Sequence, residues 1–400
     1  MSGERRISYP GEALRVAQEL IRVESLSGAE RGVADLVQAE MEMLGYDRVT
    51  RDALGNVIGV LRGQHCGGRV LFDAHMDTVP VTEPEVWTHG PFSGEVAQGR
   101  LWGRGAADVK GSLAALVVAV GSLAGRLACG EIVVAATVGE EMIEGLALEH
   151  VLKSMYPLDA GRDAPKVIVC EPTGLRLAIG HKGRTGLVVH AQGRAAHSSR
   201  PEEGINAIYR MIEAVAAIRR LSPTQDELLG RGVTELVEII SHPYPGTSMV
   251  PSACQARFDR RLVRGETEDT VLDEMAAAVA AAAIDGVSVR YHRGRLRTYT
   301  GQEFEVDDFQ PAWAQPEDSA LVRAARSALR DAGLSDEVFT APYCTNASAA
   351  AGRLGLPCLL YGADQVTDAH IVDESVSTED LAAAWEGYRA LALRLTNNDA

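Results

Sequence analysis

Apolar and polar positions alternate with two different periods along the first part of the chain. Residues 11–25 and 30–44 carry apolar side chains at intervals of three and four, which predicts two helices. Short apolar runs rich in β-branched residues predict strands at 57–61, 69–77, 131–138 and 166–171. A further helical pattern covers 112–125. Nearly unbroken apolar strands are typical of a sheet buried on both faces, so we expect an α/β fold with a helix-covered mixed sheet.

The pattern changes near residue 180, where longer strands with alternating polar positions begin. Strands are predicted at 185–193, 233–240, 254–263 and 287–292, and helices at 205–218 and 268–283. This combination indicates a small α+β domain inserted into the larger one. Beyond it, the earlier style returns with a helix at 316–333, a strand at 357–362 and a helix at 378–395. The predicted division is 1–179 and 294–400 for the catalytic domain and 180–293 for the insertion.

Composition excludes several classes of protein. The 400 residues are 46% hydrophobic and 24% charged, as in ordinary globular proteins. A net charge of -16 argues against a nucleic-acid partner, which would need a basic surface. No apolar run approaches the length of a transmembrane helix, so no membrane association is expected. The first residues lack the apolar core of a signal peptide, and the six cysteines are scattered, so we expect a cytoplasmic enzyme.

Two residues at the end of one predicted strand have the spacing of a metal ligand and its supporting group. His75 and Asp77 are two positions apart, so their side chains leave the same face of the strand. His75 could bind a metal while Asp77 accepts a hydrogen bond from the other ring nitrogen. Taken alone, this spacing is more often structural than functional.

Asp108 lies in a glycine-rich turn directly before a predicted helix. Such a turn could instead cradle a nucleotide, since Gly103 and Gly105 match the start of a dinucleotide-binding motif. Asp108 occupies the third glycine position, however, where a carboxylate would repel a pyrophosphate. A carboxylate in this turn is better suited to bridging two cations.

Further carboxylates follow the next predicted strands. Glu140 and Glu141 come directly after one strand, and Glu171 ends another. A solvated loop is the alternative explanation of the adjacent pair. Four successive strand ends would nevertheless carry His75, Asp108, Glu141 and Glu171, and neighbouring carboxyl ends can converge on one cleft. Mixed imidazole and carboxylate ligands suit zinc, with manganese or cobalt as alternatives.

These segments resemble a known family. AHMDTVP, WGRGAADVKG, GEE, EPT, AAHSSRPEEGINAI and AHIVDE occur in this order between residues 75 and 374. They are similar to the dinuclear-zinc metallopeptidase family of succinyl-diaminopimelate desuccinylase, acetylornithine deacetylase, aminoacylase-1 and glutamate carboxypeptidase. The YgeY-like branch looks closest. The resemblance implies a catalytic domain interrupted by a lid or dimerisation domain, and a homodimer formed through that domain.

The resemblance also implies a role for each matching residue in the metal centre. His75 and Glu171 would bind one zinc ion, Glu141 and His370 the other, and Asp108 would bridge the two. Glu140 would be the general base, and Asp77 the partner of His75. A cis peptide would follow Asp108.

Residues of the insertion and of the last segment would contact substrate. His197, from the neighbouring subunit, would stabilise the oxyanion, and Arg261 would bind a substrate carboxylate, with Arg260 as its rival. Asn346 is predicted to bind substrate as well. The chain reads Ser-Met-Val-Pro at 248–251 where relatives often have Asn-Val-Val-Pro, so that asparagine cannot be carried over.

The resulting hypothesis is hydrolysis of the amide bond of an N-acyl amino acid or short peptide with a free carboxylate. Deacetylase, desuccinylase, dipeptidase or carboxypeptidase, and N-carbamoyl hydrolase activities remain open, because all share this metal centre. A non-catalytic peptide-binding relative is a second hypothesis, and a nucleotide-dependent oxidoreductase a third. The second would be expected to lack ligands or the base, and here all are present.

Overall fold

The computed structural model of the chain describes residues 9–156 and 164–397. The expectation that no signal peptide is present rests on residues 1–16, of which residues 1–8 lie outside the described residues. The described helices are α1 (Tyr9–Ile21), α2 (Arg31–Met43), α3 (Gly111–Gly121), α4 (Leu146–Met155), α5 (Ala207–Ile218), α6 (Glu268–Ala281), α7 (Ala320–Asp331) and α8 (Thr378–Thr396).

The described strands fall into larger and smaller sheets. In the first half of the chain they are β1 (Arg48–Arg51), β2 (Val57–Arg62), β3 (His65–His75), β4 (Glu95–Ala97), β5 (Arg100–Trp102), β6 (Cys129–Thr137), β7 (Lys166–Val169), β8 (Leu177–His181) and β9 (Gly183–Gln192). In the second half they are β10 (Gln225–Asp226), β11 (Gly230–Arg231), β12 (Val233–His242), β13 (Ala253–Leu262), β14 (Val287–Tyr291), β15 (Arg293–Arg297), β16 (Glu303–Asp307), β17 (Phe309–Gln310), β18 (Trp313–Ala314), β19 (Val338–Ala341), β20 (Cys358–Leu360) and β21 (Ser375–Ser377).

The largest sheet is mixed, with strand order β1-β2-β6-β3-β7-β20-β8-β18 and β19 beside β8. Its centre is parallel, because β3 pairs in parallel with both β6 and β7, and β20 pairs in parallel with β7. Most of the outer strands are antiparallel to their neighbours, as in the pairings of β2 with β6 and β1 with β2, whereas β19 pairs in parallel with β8. The α/β fold with a helix-covered mixed sheet is therefore confirmed.

Both faces of this sheet are buried, as the apolar strands predicted. Along β6, Ile132 and Val134 pack in one core cluster with α1, α3 and α8, whereas Val133 and Ala135 pack in another with α4. Every residue of α3 is buried, which explains why its sequence is apolar on all sides. At 11 residues α3 is too short for a bilayer, and among the described helices none is both long and apolar enough to cross one.

A second sheet has the order β12-β13-β9-β14, with β17 also paired to β9. Residues of β13 alternate between buried and half-buried, since α5 and α6 cover one face of the sheet. β12 lies at the edge and exposes apolar side chains, including Val237 and Ile239. These elements form the α+β part that the sequence predicted, and the boundaries at 180 and 293 stay predictions.

The chain passes between the two sheets at two neighbouring crossings. It leaves the large sheet after β8 at His181 and enters the second sheet with β9 at Gly183. It returns between β17, which still pairs with β9, and β18, which pairs with β8. The two crossings lie in close contact. A Cβ atom added to Gly183 would lie only 2.3 Å from the carbonyl oxygen of Gln310. Only glycine fits at this point.

Candidate metal centre

Three neighbouring parallel strands bring most of the predicted ligands to one edge of the large sheet. His75 is the last residue of β3, Glu140 and Glu141 follow β6, and Glu171 follows β7. Because β3 lies between β6 and β7, the three carboxyl ends are adjacent. This part of the site has the geometry that the sequence pattern predicted.

Asp108 reaches the same place by another route. It does not follow a strand of the large sheet, as the sequence suggested, but lies in the turn between β5 and α3. Gly105 turns the chain there with a φ of 83°, and a Cβ at this residue would lie 2.7 Å from Thr78 Cγ2. The Asp108–Val109 peptide is cis, as the resemblance implied. Glu374 accepts hydrogen bonds from the backbone N–H groups of Ala107 and Asp108, at 3.1 and 3.2 Å.

The side chains of two histidines and two carboxylates meet at this edge. His75 Nε2 is 2.9 Å from Asp108 Oδ1, and His370 Nε2 is 3.2 Å from Asp108 Oδ2 and 3.0 Å from Glu141 Oε1. Ligand atoms of His75, Asp108 and Glu141 all lie within 4.8 Å of one another, and this is the one such group in the described part of the chain. Both oxygens of Asp108 face an imidazole, which is the arrangement expected of a bridging carboxylate.

The charges around these residues fit cations. Burial, followed by the charge of Asp108, raises the pKa of Glu171 well above its usual value, and burial likewise raises the pKa of Glu140 and Glu141. Hydrogen bonds to Asp108 and Glu141 raise the pKa of His370 to about 10. Buried carboxylates crowded in this way disfavour ionisation unless positive charge lies between them. Imidazole nitrogens and carboxylate oxygens are also the ligands that zinc takes in proteins.

Asp77 supports the centre through more contacts than the sequence suggested. The Nδ1 atom of His75 lies 2.9 Å from the carbonyl oxygen of Asp77 and 3.6 Å from its carboxylate, so the main chain is the closer acceptor. The carboxylate instead accepts hydrogen bonds from the Ser27 hydroxyl at 2.6 Å and from the backbone N–H groups of Glu140 and Glu141. Asp77 therefore fixes both the ring of His75 and the loop after β6.

A cavity of about 410 Å³ opens beside these ligands. Its wall carries Arg261, whose Nε lies 3.0 Å from Asp259 Oδ1. Arg260 points to the other face of β13, where it is buried in ion pairs with Glu266 and Glu274. Of the two arginines, only Arg261 lines the cavity.

Sequence reasoning missed Arg184 and its partners in the same wall. Arg184 is the second residue of β9, directly after the crossing, and it forms ion pairs with Glu144, Asp259 and Asp308. Glu144 lies in the loop that carries Glu140. The available signal was the position of Glu144 beside the Glu-Glu pair, but a sequence does not show which arginine will meet it.

Two predicted substrate contacts lie outside the cavity. His197 is exposed on a loop of the α+β part, where its Nδ1 accepts a hydrogen bond from the backbone N–H of Ser199. Asn346 is 1% exposed beneath the site, and its amide donates to Asp73 at 2.9 Å and accepts from the backbone N–H of Gly145 at 2.6 Å. The structure thus places Asn346 under the loop after β6 rather than at the wall of the cavity.

Comparison with known proteins agrees with this geometry. The model of peptidase family M20/M25/M40 matches residues 71–394, and the chain belongs to this family. It is a hydrolase that acts on amide bonds.

Individual relatives match nearly the whole chain. YgeY of Escherichia coli K12 is 30% identical over 396 residues, covering 98% of this chain and 96% of the relative. Succinyl-diaminopimelate desuccinylase of Caulobacter vibrioides is 28% identical over 406 residues, covering 98% of each protein. The crystal structure of aminopeptidase PepT from Bacillus cereus superimposes with a TM-score of 0.73 at 20% identity, over 96% of this chain and 98% of that one. The last comparison bears on the fold alone.

Proposed function

We propose that this protein is a two-metal hydrolase that cleaves the amide bond of an N-acyl amino acid or a short peptide with a free carboxylate. One observation carries the proposal. The cluster of His75, Asp108 and Glu141, with His370 bonded to it, lies beside a cavity whose lining includes Asp108, Glu141, His370 and also Arg261. A substrate can therefore be held by its carboxylate while its amide bond lies at the metal centre.

Five residues would hold the two ions. His75 and Glu171 are proposed ligands of one, Glu141 and His370 of the other, with Asp108 between them. When bound, two zinc ions, or manganese or cobalt, polarise a carbonyl group and make a water molecule more acidic. The mixed nitrogen and oxygen donors support this assignment.

Glu140 is proposed as the general base. No described residue donates a hydrogen bond to its carboxylate, whereas its backbone N–H is held by Asp77. The side chain lines the cavity and is not needed as a ligand, so it can take a proton from water and return it to the leaving nitrogen.

Arg261 is proposed as the carboxylate anchor. Its ion pair with Asp259 uses Nε, which leaves both terminal amino groups for a ligand. A guanidinium held in this way presents two parallel donors, which match the geometry of a carboxylate.

A homodimer through the α+β part is the proposed assembly. β12 is an edge strand with Val233, Val237 and Ile239 exposed, and α5 exposes Tyr209 and Ile212. Edge strands with apolar side chains are ready to pair with another chain. In this assembly the partner subunit's His197 would complete the cavity, which would account for its exposed position here.

None of the six cysteines forms a disulfide, which supports the expectation of a reducing, cytoplasmic location.

A hydrolysis screen followed by mass spectrometry tests the proposal. Zinc-loaded protein would be given N-acetyl, N-succinyl, N-formyl and N-carbamoyl amino acids and dipeptides, in both chiralities, with Glu140→Gln as the blank. We expect cleavage by the wild type and a loss of at least a thousandfold in the variant, whose metal content should be unchanged. Two metals per chain with no cleavage would favour the non-catalytic peptide-binding alternative.

A further inference from the structure

The two arginines of the cavity wall, Arg184 and Arg261, differ in the number of carboxylates that they contact. Arg184 uses all three nitrogen positions of its guanidinium on carboxylates of the protein. Nη1 is 2.6 Å from Glu144, Nε is 3.4 Å from Asp259, and Nη2 is 3.8 Å from Asp308. Although Arg184 lines the cavity, three carboxylates already surround it. It therefore has little attraction left for an anionic ligand.

Arg261 differs because, among the described residues, Asp259 is its one ion-pair partner, through Nε. Apart from His370 at the metal centre, Arg184 and Arg261 are the cationic side chains of the described cavity wall. The wall away from the ligands is otherwise neutral or acidic. Its neutral members are Val79, Pro172, Tyr343, Cys344 and Val366.

Glu144 offsets the positive charge of Arg184 in this wall. The residue is 9% exposed, and its Oε1 is bonded to Arg184. Its Oε2 is buried without a hydrogen-bond partner among the described residues. A second carboxylate on a ligand would lie in a cavity whose wall also carries Glu144 and Asp259, where like charges repel because water screens them poorly.

We propose that the cavity selects substrates with one carboxylate and an uncharged acyl group, and that Glu144 determines this selectivity by neutralising Arg184. The inference rests on the proposed hydrolase function and narrows it. Acetyl, formyl and carbamoyl groups fit the wall. A succinyl group, which carries a carboxylate of its own, does not. The chain thus differs in selectivity from what the name of its desuccinylase relative indicates.

Matched substrates test the selectivity. The amino acid cleaved best in the screen would be prepared as its N-acetyl and N-succinyl derivatives, and kcat/KM measured for both. We expect the wild type to prefer the N-acetyl derivative at least tenfold. Equal rates, or a preference for the N-succinyl derivative, would overturn the inference while leaving the hydrolase proposal intact. Cleavage of neither derivative, nor of anything else in the screen, would instead remove the hydrolase proposal.

The substitution Glu144→Gln tests whether Glu144 determines the selectivity for the acyl group. The substitution keeps the shape of the side chain, removes its charge and leaves Arg184 with two neighbouring carboxylates, Asp259 and Asp308, in place of three. We expect the preference for N-acetyl over N-succinyl substrate to fall at least fivefold. Glu149→Gln is the matched control, because Glu149 lies in α4 outside this cavity, and its ratio should equal that of the wild type. An unchanged ratio in Glu144→Gln would assign the selectivity elsewhere.

A binding measurement covers the case in which Glu144→Gln loses turnover. Glu140→Gln should bind without cleaving, so calorimetry can compare both derivatives directly. We expect the N-acetyl derivative to bind at least tenfold more tightly than the N-succinyl derivative. Adding Glu144→Gln to this variant should reduce the difference in affinity between the two derivatives. Equal or tighter binding of the N-succinyl derivative would contradict the inference.

Discussion

Arg184 Nη1 lies 2.6 Å from Glu144 Oε1, which joins the first strand of the second sheet to the loop that carries Glu140 and Glu141. The contact lies next to Gly183, where the two crossings of the chain between the sheets are in main-chain contact. A single ion pair thus connects the α+β part to the loop with the proposed base. The position of the loop should therefore depend on it.

Removing Arg184 should destabilise the protein and slow turnover. Arg184→Met leaves the buried Glu144 without this cation, and we expect the free energy of unfolding to fall by about 2 kcal/mol. Urea denaturation would measure this, and Glu144→Gln in the same chain should restore part of the loss. Arg295→Met, at a residue whose side chain is 77% exposed, should be neutral. A double variant as unstable as the sum of its parts would show that the pair is not coupled.

Metal binding should stabilise the fold, independently of any activity. At a free zinc concentration 100 times the dissociation constant, mass action adds about 2.7 kcal/mol, and the melting temperature should rise by about 3 °C. A chelator should reverse the shift. Asp108→Asn, which lacks the charge between the two histidines, should lose most of it, whereas Asp331→Asn on the surface of α7 should not. A full zinc response in Asp108→Asn would remove Asp108 from the ligand set.

Stability should fall in mild acid because of His181. This ring is fully buried beside Trp313, and burial lowers its pKa to about 4 from the usual 6.5. Between these values the unfolded chain binds a proton that the folded chain does not, so the free energy of unfolding decreases as pH falls from 6.5 to 4. The full contribution is about 3 kcal/mol.

His181→Gln should remove this part of the pH dependence. Chemical denaturation at pH 7.5 and pH 4.5 would compare the variant with the wild type, and the exposed His65→Asn would serve as control. Identical losses between the two pH values in all three proteins would show that His181 titrates normally in the fold.

Asn346 should behave as a supporting residue. Asn346→Ala leaves the buried carboxylate of Asp73 without one donor and the backbone N–H of Gly145 without its acceptor. Each unmet group costs about 1–3 kcal/mol, so we expect a loss of about 3 kcal/mol in stability with KM little changed. A stable variant with a raised KM would instead support the direct substrate contact that the sequence suggested.

The proposed dimer should dissociate when the edge strand is charged. Ile239 is 51% exposed on β12, and Ile239→Lys would place a charge in the interface. Light scattering coupled to gel filtration should show a monomer for this variant and a dimer for the wild type. Met43→Lys, at an apolar residue of α2 that is 66% exposed, should remain dimeric. A dimeric Ile239→Lys would place the interface elsewhere.

The fold was predictable where strands are buried on both faces. Unbroken apolar runs such as that of β6 have no other stable location, and a ligand that directly follows such a strand must lie at the edge of the sheet. His75, Glu141 and Glu171 were therefore placed correctly at that edge from the pattern alone.

Features that depend on contacts between distant segments were not predictable. Asp108 comes from a turn outside the large sheet, and the engagement of Arg184 requires three carboxylates from three separate segments. The burial of Asn346 follows from its bond to Asp73, 273 positions away. The hydrophobic periodicity of a segment indicates only the environment of that one helix or strand. Each of these contacts, in contrast, joins segments that are far apart in the sequence.

Asp77 holds Glu140 and Glu141 by their main-chain N–H groups and not by their side chains. These hydrogen bonds to the loop therefore do not depend on which side chains occupy positions 140 and 141. A substitution at Glu140 or Glu141 changes the reacting groups but leaves their attachment in place, so chemistry can be altered here without remodelling the backbone. An enzyme built in this way can acquire a new reaction, or lose its old one, by single replacements in an unchanged framework.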